Sequence, residues 1–152
     1  MEHILFRSAV LADLPAIVAL LADDALGSQR EIAGTPVDER YVTAFHAIAA
    51  DPNQRLVVAV DGGTVIGTLQ LSFIPGIARR GAWRGQIEAV RIAAPFRSAG
   101  FGQQMFGWAI SECRSRGCAI VQLTTDKGRP DAHRFYEKLG FVASHEGYKL
   151  ML

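Results

Sequence analysis

The spacing of apolar residues in the first third of the chain predicts one strand followed by two helices. Residues 3–7 alternate as a short strand does, and apolar side chains recur at helical spacing over residues 14–26, after an aspartate and close to a proline. Residues 27–36 combine glycine, serine, proline and charged residues, which is typical of a loop. Helical spacing returns over residues 37–50, so we expect this loop to join two helices.

The centre of the chain predicts three consecutive strands. Residues 55–60 and 64–74 are apolar or β-branched, and they flank Asp61–Gly63, which is a strong signal for a hairpin turn. After a loop over residues 75–84, residues 86–93 alternate again. Regular alternation would give one face of this strand Gln86, Glu88, Val90 and Ile92. The opposite face would carry Ile87, Ala89, Arg91 and Ala93.

The last third of the chain predicts two helices, each followed by a strand. A glycine-rich segment opens a helix over residues 100–116, and Gly117 is expected to cap its end. A strand at residues 119–124, a helix at 130–140 and a final strand at 141–150 follow. The buried stripe of the first helix is predicted to contain Phe101, Met105, Trp108, Ala109 and Cys113.

Composition and charge favour a small-molecule partner. The chain has 152 residues without repeat or linker, which predicts one domain, residues 1–152. Sixteen Lys and Arg against 15 Asp and Glu leave a net charge of +1, which gives no broad field for binding nucleic acid or a membrane. No apolar run reaches the roughly 18 residues of a membrane span. The chain start lacks a secretion signal, so we expect a cytoplasmic protein with Cys113 and Cys118 reduced. The four histidines show no metal-ligand spacing, so no metal site is predicted.

The sequence RSAGFG, residues 97–102, joins the third consecutive strand to the following helix. The first amides of a helix have no intrahelical acceptor, and the helix dipole adds a partial positive charge there, so this entrance suits a pyrophosphate. A nucleoside-triphosphate loop would need Lys and then Ser or Thr where Gln103 and Gln104 stand. A dinucleotide loop would need a third glycine where Met105 stands. Residue type therefore excludes both loops.

The loop fits the pattern Q/R-x-x-G-x-G/A and thereby resembles the pyrophosphate loop of the GNAT superfamily of N-acetyltransferases. A second segment, AHRFYEKLGF from Ala132 to Phe141, resembles the late helix and following strand of that superfamily. The order of predicted elements is similar over nearly the whole chain. The resemblance implies a three-layer α/β fold, the acyl-CoA N-acyltransferase fold. In this fold a mixed and mostly antiparallel sheet is flanked by helices and splays between its fourth and fifth strands.

The same resemblance implies acetyl-CoA as the co-substrate and no metal. Its pantetheine arm is expected in the splay, with hydrogen bonds to the backbone of Val90 and Ile92. The residues expected to hold its pyrophosphate are Arg97, Ser98, Ala99, Gly100, Phe101, Gly102 and Gln103. There is one departure, since many relatives carry Asn seven residues before Tyr136, where this chain has Arg129.

Acetyl transfer to an amine needs a base for the ammonium and a proton for the departing thiolate, since an alkyl ammonium has a pKa of about 10.4. Glu88 is the candidate base because it shares the predicted face of the pantetheine-binding residues, although a solvated or ion-paired glutamate fits the same pattern. His46 and His133 are alternatives. Tyr136, which the resemblance places near the cofactor sulfur, is the candidate acid. Packing on the inner face of its helix is the other interpretation of this tyrosine.

The acceptor is left open by the sequence. An acidic substrate could bind to three arginines near Trp83, although these could also be the solvated tip of a loop; they are Arg79, Arg80 and Arg84. A substrate ammonium could bind to the acidic residues Asp23, Asp24 and Glu31. We predict an acyltransferase, of the type that moves groups other than aminoacyl groups, acting by direct transfer on a small primary amine. Protein amines remain an alternative, as does a non-catalytic acyl-CoA-binding sensor or regulatory module. A homodimer is compatible with the resemblance.

Overall fold

The computed structural model describes residues 3–152 and has a five-stranded mixed sheet with helices on both faces. Its strands follow the same order in the chain and in the sheet: β1 (Leu5–Ser8), β2 (Gln54–Asp61), β3 (Thr64–Ile74), β4 (Trp83–Ile92) and β5 (Cys118–Gln122). Neighbouring strands pair antiparallel except β4 and β5, which are parallel. The mixed, mostly antiparallel sheet is therefore confirmed.

The helices are α1 (Leu14–Ala22), α2 (Gly27–Arg30), α3 (Glu39–Ala50), the single turn α4 (Ala78–Gly81), α5 (Phe101–Ser115) and α6 (Pro130–Lys138). On one face of the sheet, Ile17 of α1 packs against Val58 and Val60 of β2. On the other face, α5 buries Met105 and Phe106 against the apolar residues of β2, β3 and β4, and α6 adds partly buried aromatic side chains. The arrangement is the expected three layers. No helix within residues 3–152 combines the length and the apolar character needed to cross a membrane.

Local sequence signals explain the hairpin and the buried side of α5. Gly62 and Gly63 have φ of 52° and 83°, the left-handed values that a tight hairpin turn between β2 and β3 requires. Four of the five residues in the predicted stripe on α5 are buried; the fifth, Trp108, is only half-buried, and Phe106 is buried although it was not predicted. Trp108 instead stacks on Phe6 at 5.6 Å, at the edge of the core.

Three predicted segments differ from the structure. The predicted loop at 27–36 begins with the helical turn α2, and the predicted loop at 75–84 contains α4 and the start of β4. The final strand predicted at 141–150 is wrong, since this segment has no regular secondary structure. Its centre, ASHEG, interrupts the alternation of apolar residues, and the flanking Val142 and Tyr148 are 81% and 90% exposed. The segment thus buries too little apolar surface to form a strand beside β5.

A bulge in β4 changes which residues share a face. Glu88 pairs with Gln70 and Arg91 with Thr68, so two residues of β4 stand opposite one residue of β3. The extra residue is Ala89, whose φ is 54°. Because Gln70 and Thr68 lie on the same face of β3, Glu88 and Arg91 lie on the same face of β4.

The bulge overturns the regular alternation expected for β4. Val90 and Ile92 pack toward the core on the side of α5, whereas Glu88 is exposed on the opposite face. The prediction that Glu88 shares a face with Val90 and Ile92 is therefore wrong. A periodicity of two cannot survive an inserted residue.

Candidate active site

The glycine-rich loop enters α5 through a left-handed residue. Gly100 directly precedes α5 with φ 84°, a conformation that favours glycine. The amide groups at the start of α5 follow immediately, and they have no acceptor within the helix. A Cβ on Gly102 would lie 3.4 Å from the Phe135 ring, so α6 packs closely on this end of α5. The loop thus combines exposed backbone donors with an aromatic wall formed by Phe135.

A cavity of about 310 Å³ lies at this loop. It brings together six of the residues expected to bind the cofactor: Ile92, Arg97, Ser98, Gly100, Gly102 and Gln103. Two others are placed differently. Ala99 is exposed outside the cavity wall, and the Phe101 side chain is buried in the core against Phe96, with ring centroids 5.6 Å apart. Only the backbone of Phe101 is available to a ligand.

The sheet opens between β4 and β5. Their parallel pairing ends at Gln86 and Gln122, whose side chains are joined by a hydrogen bond of 2.7 Å from Gln122 Nε2 to Gln86 Oε1. Strand β4 continues for six residues beyond this pair, to Ile92. A second cavity, of about 500 Å³, lies beside that free stretch, and its wall includes Val90, Arg91 and Ile92. The splay expected at this position is therefore present.

Two of the carbonyl groups in the free stretch of β4, those of Val90 and Ile92, accept hydrogen bonds from arginine side chains. The Val90 carbonyl accepts a hydrogen bond of 2.9 Å from Arg91 Nη1, and the Ile92 carbonyl accepts one of 3.0 Å from Arg97 Nε. Any ligand that binds β4 as an added strand must move these guanidinium groups or pair with the amides instead. Arg97 is exposed, so its rotation leaves no buried charge behind.

Asp23 and Asp24, between α1 and α2, connect the walls of the second cavity. Asp24 Oδ2 lies 3.3 Å from Arg91 Nε and 3.0 Å from Arg129 Nη2, while Asp23 Oδ2 lies 3.3 Å from Arg97 Nη2. Although burial acts to raise it, the pKa of Asp24 is lowered by the Gly27 amide, which donates to the carboxylate, and by the two arginines. The two aspartates considered for an ammonium are thus occupied by arginines.

Tyr136 is half-buried on α6 and contacts an aromatic cluster. Its ring lies 5.5 Å from that of Phe106 and 6.2 Å from that of Phe141, measured between centroids. Burial raises the pKa of Tyr136, and the positive charges of Arg129 and Arg91 oppose that rise. The phenol is therefore protonated at neutral pH and can act as a hydrogen-bond donor. Arg91 and Arg129, two of the three arginines in the wall of the second cavity, therefore lie within electrostatic reach of it.

Glu88 is exposed, with its Oε1 3.5 Å from Ser72 Oγ. It lies on the face of β4 that also carries Arg91, on the side of α1. The two alternatives to Glu88 line neither cavity: His46 is exposed on α3, and His133 Nε2 on α6 is 3.2 Å from the Asp126 carbonyl oxygen.

The cluster of arginines expected between β3 and β4 is not part of either cavity. Arg79 and Arg80 are exposed on α4 with φ of 56° and 62°, next to Ile77 and Trp83. Sequence reasoning instead missed Arg91, which lies in the wall of the second cavity and contacts Asp24 there. Its only sequence signal is a charged residue inside an apolar strand, and its partner Asp24 lies 67 positions earlier.

Comparison with known proteins finds a matching family model and several relatives. Residues 18–141 match the model of the acetyltransferase (GNAT) family. A transcriptional regulator from Bacillus halodurans C-125, known as a crystal structure, is 47% identical and superposes with a TM-score of 0.95 over 99% of this chain and 100% of that one. The aminoalkylphosphonate N-acetyltransferase of Salmonella typhimurium is 29% identical over 91% of this chain and 85% of its own. The glucosamine 6-phosphate N-acetyltransferase of Trypanosoma brucei brucei is 35% identical over 59% of each chain.

Proposed function

Because this chain belongs to the acetyltransferase (GNAT) family and is an acetyltransferase, we propose that it moves the acetyl group of acetyl-CoA directly to the amine of a small molecule. One observation carries the proposal: a loop with free helical amides and an open stretch of β4 border adjoining cavities, and the protonated Tyr136 lies within electrostatic reach of Arg91 and Arg129 in the wall of the larger one. The relatives with known activity support the amine, because they acetylate aminoalkylphosphonates and glucosamine 6-phosphate.

Binding of acetyl-CoA divides into two parts. The pyrophosphate lies at the entrance of α5, where the amides of residues 101–103 donate to it and Arg97 supplies a positive charge. The pantetheine arm follows the free stretch of β4 past Ile92 and Val90. This path leads from the first cavity into the second, so the thioester arrives on the side of Tyr136 and Arg91.

In the transfer itself, the neutral amine attacks the thioester carbonyl carbon, a C–N bond forms and the C–S bond breaks. Glu88 accepts the amine proton, directly or through water, because its carboxylate is exposed on the face of β4 toward α1, from which the amine would approach. The Tyr136 hydroxyl donates a proton or a hydrogen bond to the departing thiolate, whose charge would otherwise develop in a half-buried environment.

The assay for this proposal follows thiol release from acetyl-CoA with a panel of amines. Tyr136→Phe preserves the aromatic packing and removes only the hydroxyl, so we expect kcat to fall roughly 10²-fold while the KM for acetyl-CoA stays unchanged. Tyr148→Phe is the matched control, since Tyr148 is 90% exposed on the C-terminal segment. Equal rates for the two variants would remove the assigned role of Tyr136.

Glu88→Gln tests the base. Loss of the carboxylate should matter most at pH values at which the amine is protonated. We therefore expect a large fall in kcat/KM at pH 7, and a smaller one as the pH rises toward the amine pKa of about 10.4. Glu137→Gln, on the exposed side of α6, is the control. A Glu88→Gln defect that stays constant from pH 7 to 9.5 would contradict proton removal by this carboxylate.

A second function, acyl-CoA sensing without catalysis, is favoured by one observation, namely the transcriptional regulator that is 47% identical to this chain. The same panel separates the two. Thermal stabilisation by acetyl-CoA without any thiol release would favour the sensor, and turnover with any amine would exclude it as the sole role.

A further inference from the structure

Two guanidinium groups in the larger cavity share one carboxylate. The charged side chains in its wall are Arg91, Arg97, Arg129 and Asp24. Arg97 has a partner of its own in Asp23, at 3.3 Å. Arg91 and Arg129 both approach the same oxygen of Asp24, at 3.3 Å and 3.0 Å. One positive charge in the wall is therefore not matched by a negative one.

Arg91 is the less well satisfied of the two. Its side chain is only 18% exposed, and its Nε has no hydrogen-bond partner, because the N–H is not directed at the nearby Asp24 oxygen. It is the one buried side-chain nitrogen or oxygen within residues 3–152 without such a partner. Burial lowers the pKa of Arg91, and the like charge of Arg129 acts in the same direction. A second anion at this position would relieve both effects.

The position of the pair suits an acceptor rather than the pyrophosphate. Arg91 and Arg129 lie beyond the loop cavity, whose wall contains neither of them. The positive charges of both oppose the rise of the Tyr136 pKa that burial causes, so both arginines lie within electrostatic reach of the phenol proposed to serve the thiolate. An anion held there would bring an attached amine close to the thioester only if few bonds separate the two groups.

We propose that the acceptor amine carries a phosphonate or carboxylate a few bonds away and that Arg91 and Arg129 bind this anion in the cavity beside β4. Two planar guanidinium groups suit these oxyanions because each can donate two parallel N–H hydrogen bonds to them. Arg91 and Arg129 are thereby residues that determine acceptor specificity. The inference rests on the proposed acetyl transfer, but anion binding can be measured without it.

The kinetic test uses acceptors that differ in the anion alone. Aminomethylphosphonate is compared with methylamine, 2-aminoethylphosphonate with 2-aminoethanol, and β-alanine with its amide, all at saturating acetyl-CoA. We expect kcat/KM to be at least roughly tenfold higher for the anionic member of each pair, since hydrogen bonds to charged groups are worth about 1.5–3 kcal/mol. Equal kcat/KM within the pairs would overturn the inference and leave the acetyl transfer standing.

The variants assign the effect to residues. Arg91→Gln should raise the KM of the anionic acceptors roughly tenfold to hundredfold, and the ratio of kcat/KM between the anionic and the neutral member of each pair should fall toward one. Arg129→Gln, at a side chain 30% exposed, gives the same comparison if the first variant does not fold. Arg134→Gln is the control, because Arg134 is exposed on α6 and pairs only with Asp131. A rise confined to the KM of acetyl-CoA would show that these arginines serve the cofactor and would overturn the inference.

A binding measurement separates the inference from the proposed function. Methylphosphonate, which has no amine, is titrated calorimetrically into the protein saturated with CoA, so that the pyrophosphate loop is already filled. Heat of binding that disappears in Arg91→Gln supports the anion site even if no amine is ever acetylated. Absence of binding, or binding that is the same in Arg91→Gln and Arg134→Gln, would overturn it.

Discussion

Gly85 of β4 allows α5 to lie against the sheet at the junction of β4 and β5. A Cβ at this position would overlap Cys113 Sγ and lie 3.1 Å from Cys113 Cβ. Cys113 is fully buried, and burial raises the pKa of its thiol to about 11. Gly85 pairs with Phe73 on one side and Val121 on the other, so its backbone is held by both neighbouring strands. Gly85→Ala therefore forces α5 or the Cys113 side chain to move.

The expected cost can be divided between the two residues. Overpacking a well-packed core costs about 1–3 kcal/mol, and the fixed backbone of Gly85 puts this substitution at about 2–3 kcal/mol. Cys113→Ala removes one buried atom and should cost about 1 kcal/mol. In the double variant the sulfur is absent, so we expect a loss of about 1–2 kcal/mol rather than the sum of the two, a coupling of about 2 kcal/mol.

Urea unfolding followed by circular dichroism measures all four proteins of this cycle. At the size of this chain, the Gly85→Ala loss corresponds to a melting temperature lowered by roughly 4–12 °C. Because α5 begins at the pyrophosphate loop, the same variant should raise the KM for acetyl-CoA, and the double variant should restore it. Additive free energies of unfolding would refute the reasoning, since they would mean that the two side chains do not compete for space.

Two further predictions concern the part-buried ion pair of Arg7 with Asp13 and the entrance of α5. Asp13 accepts hydrogen bonds from Arg7 and the Val10 amide, and the Arg7 hydrogen bonds hold its pKa below the ordinary value. Because its pKa is lower in the folded than in the unfolded protein, the Asp13 carboxylate stabilises the fold above the unfolded value of about 3.9, and this contribution is lost as the pH falls through the folded pKa. Asp13→Asn should therefore lower the free energy of unfolding by about 2 kcal/mol at pH 7 and by much less near pH 2.5, as read from unfolding midpoints. Gly100→Ala should lower the free energy of unfolding by about 1–2 kcal/mol, because alanine is strained at the φ of 84° found there. Gly107→Ala should raise it by about 0.5–1 kcal/mol, because Gly107 lies within α5 and an added Cβ would meet no other atom. Equal effects of the two substitutions in urea unfolding would contradict this.

Local signals predicted the elements that local physics determines. Strand β3 has the predicted bounds, Thr64–Ile74, because its alternation is regular and glycines close the hairpin before it. The loop before α5 has a similarly local cause, since the left-handed backbone at Gly100 favours glycine at this single position. Such features depend on a few consecutive residues, so the sequence contains all the information needed.

The features that were missed depend on residues far apart in the chain. The bulge at Ala89 follows from the register of β4 against β3, and nothing in the alternation of β4 announces it. The contact of Arg91 with Asp24 joins a strand to a loop 67 positions earlier. The predicted strand after residue 140 failed because a strand also needs a partner that buries it, and the exposed Val142 has none.

The bulge connects both halves of the site. A non-glycine residue at φ 54° costs on the order of 1–3 kcal/mol, which the pairing of β4 on both sides of Ala89 offsets. With Ala89 in a regular ladder position, Arg91 would face α5 and Val90 would share the face of Glu88. Because the bulge takes Ala89 out of the alternation, Val90 faces the core beside the splay, while Glu88 and Arg91 both lie on the face toward α1. Deleting Ala89 should leave these three side chains on their present faces, so we expect kcat/KM for the acceptor to persist and urea unfolding to show a gain in stability of about 1–3 kcal/mol. Loss of acceptor binding in a folded deletion variant would contradict this account of the bulge.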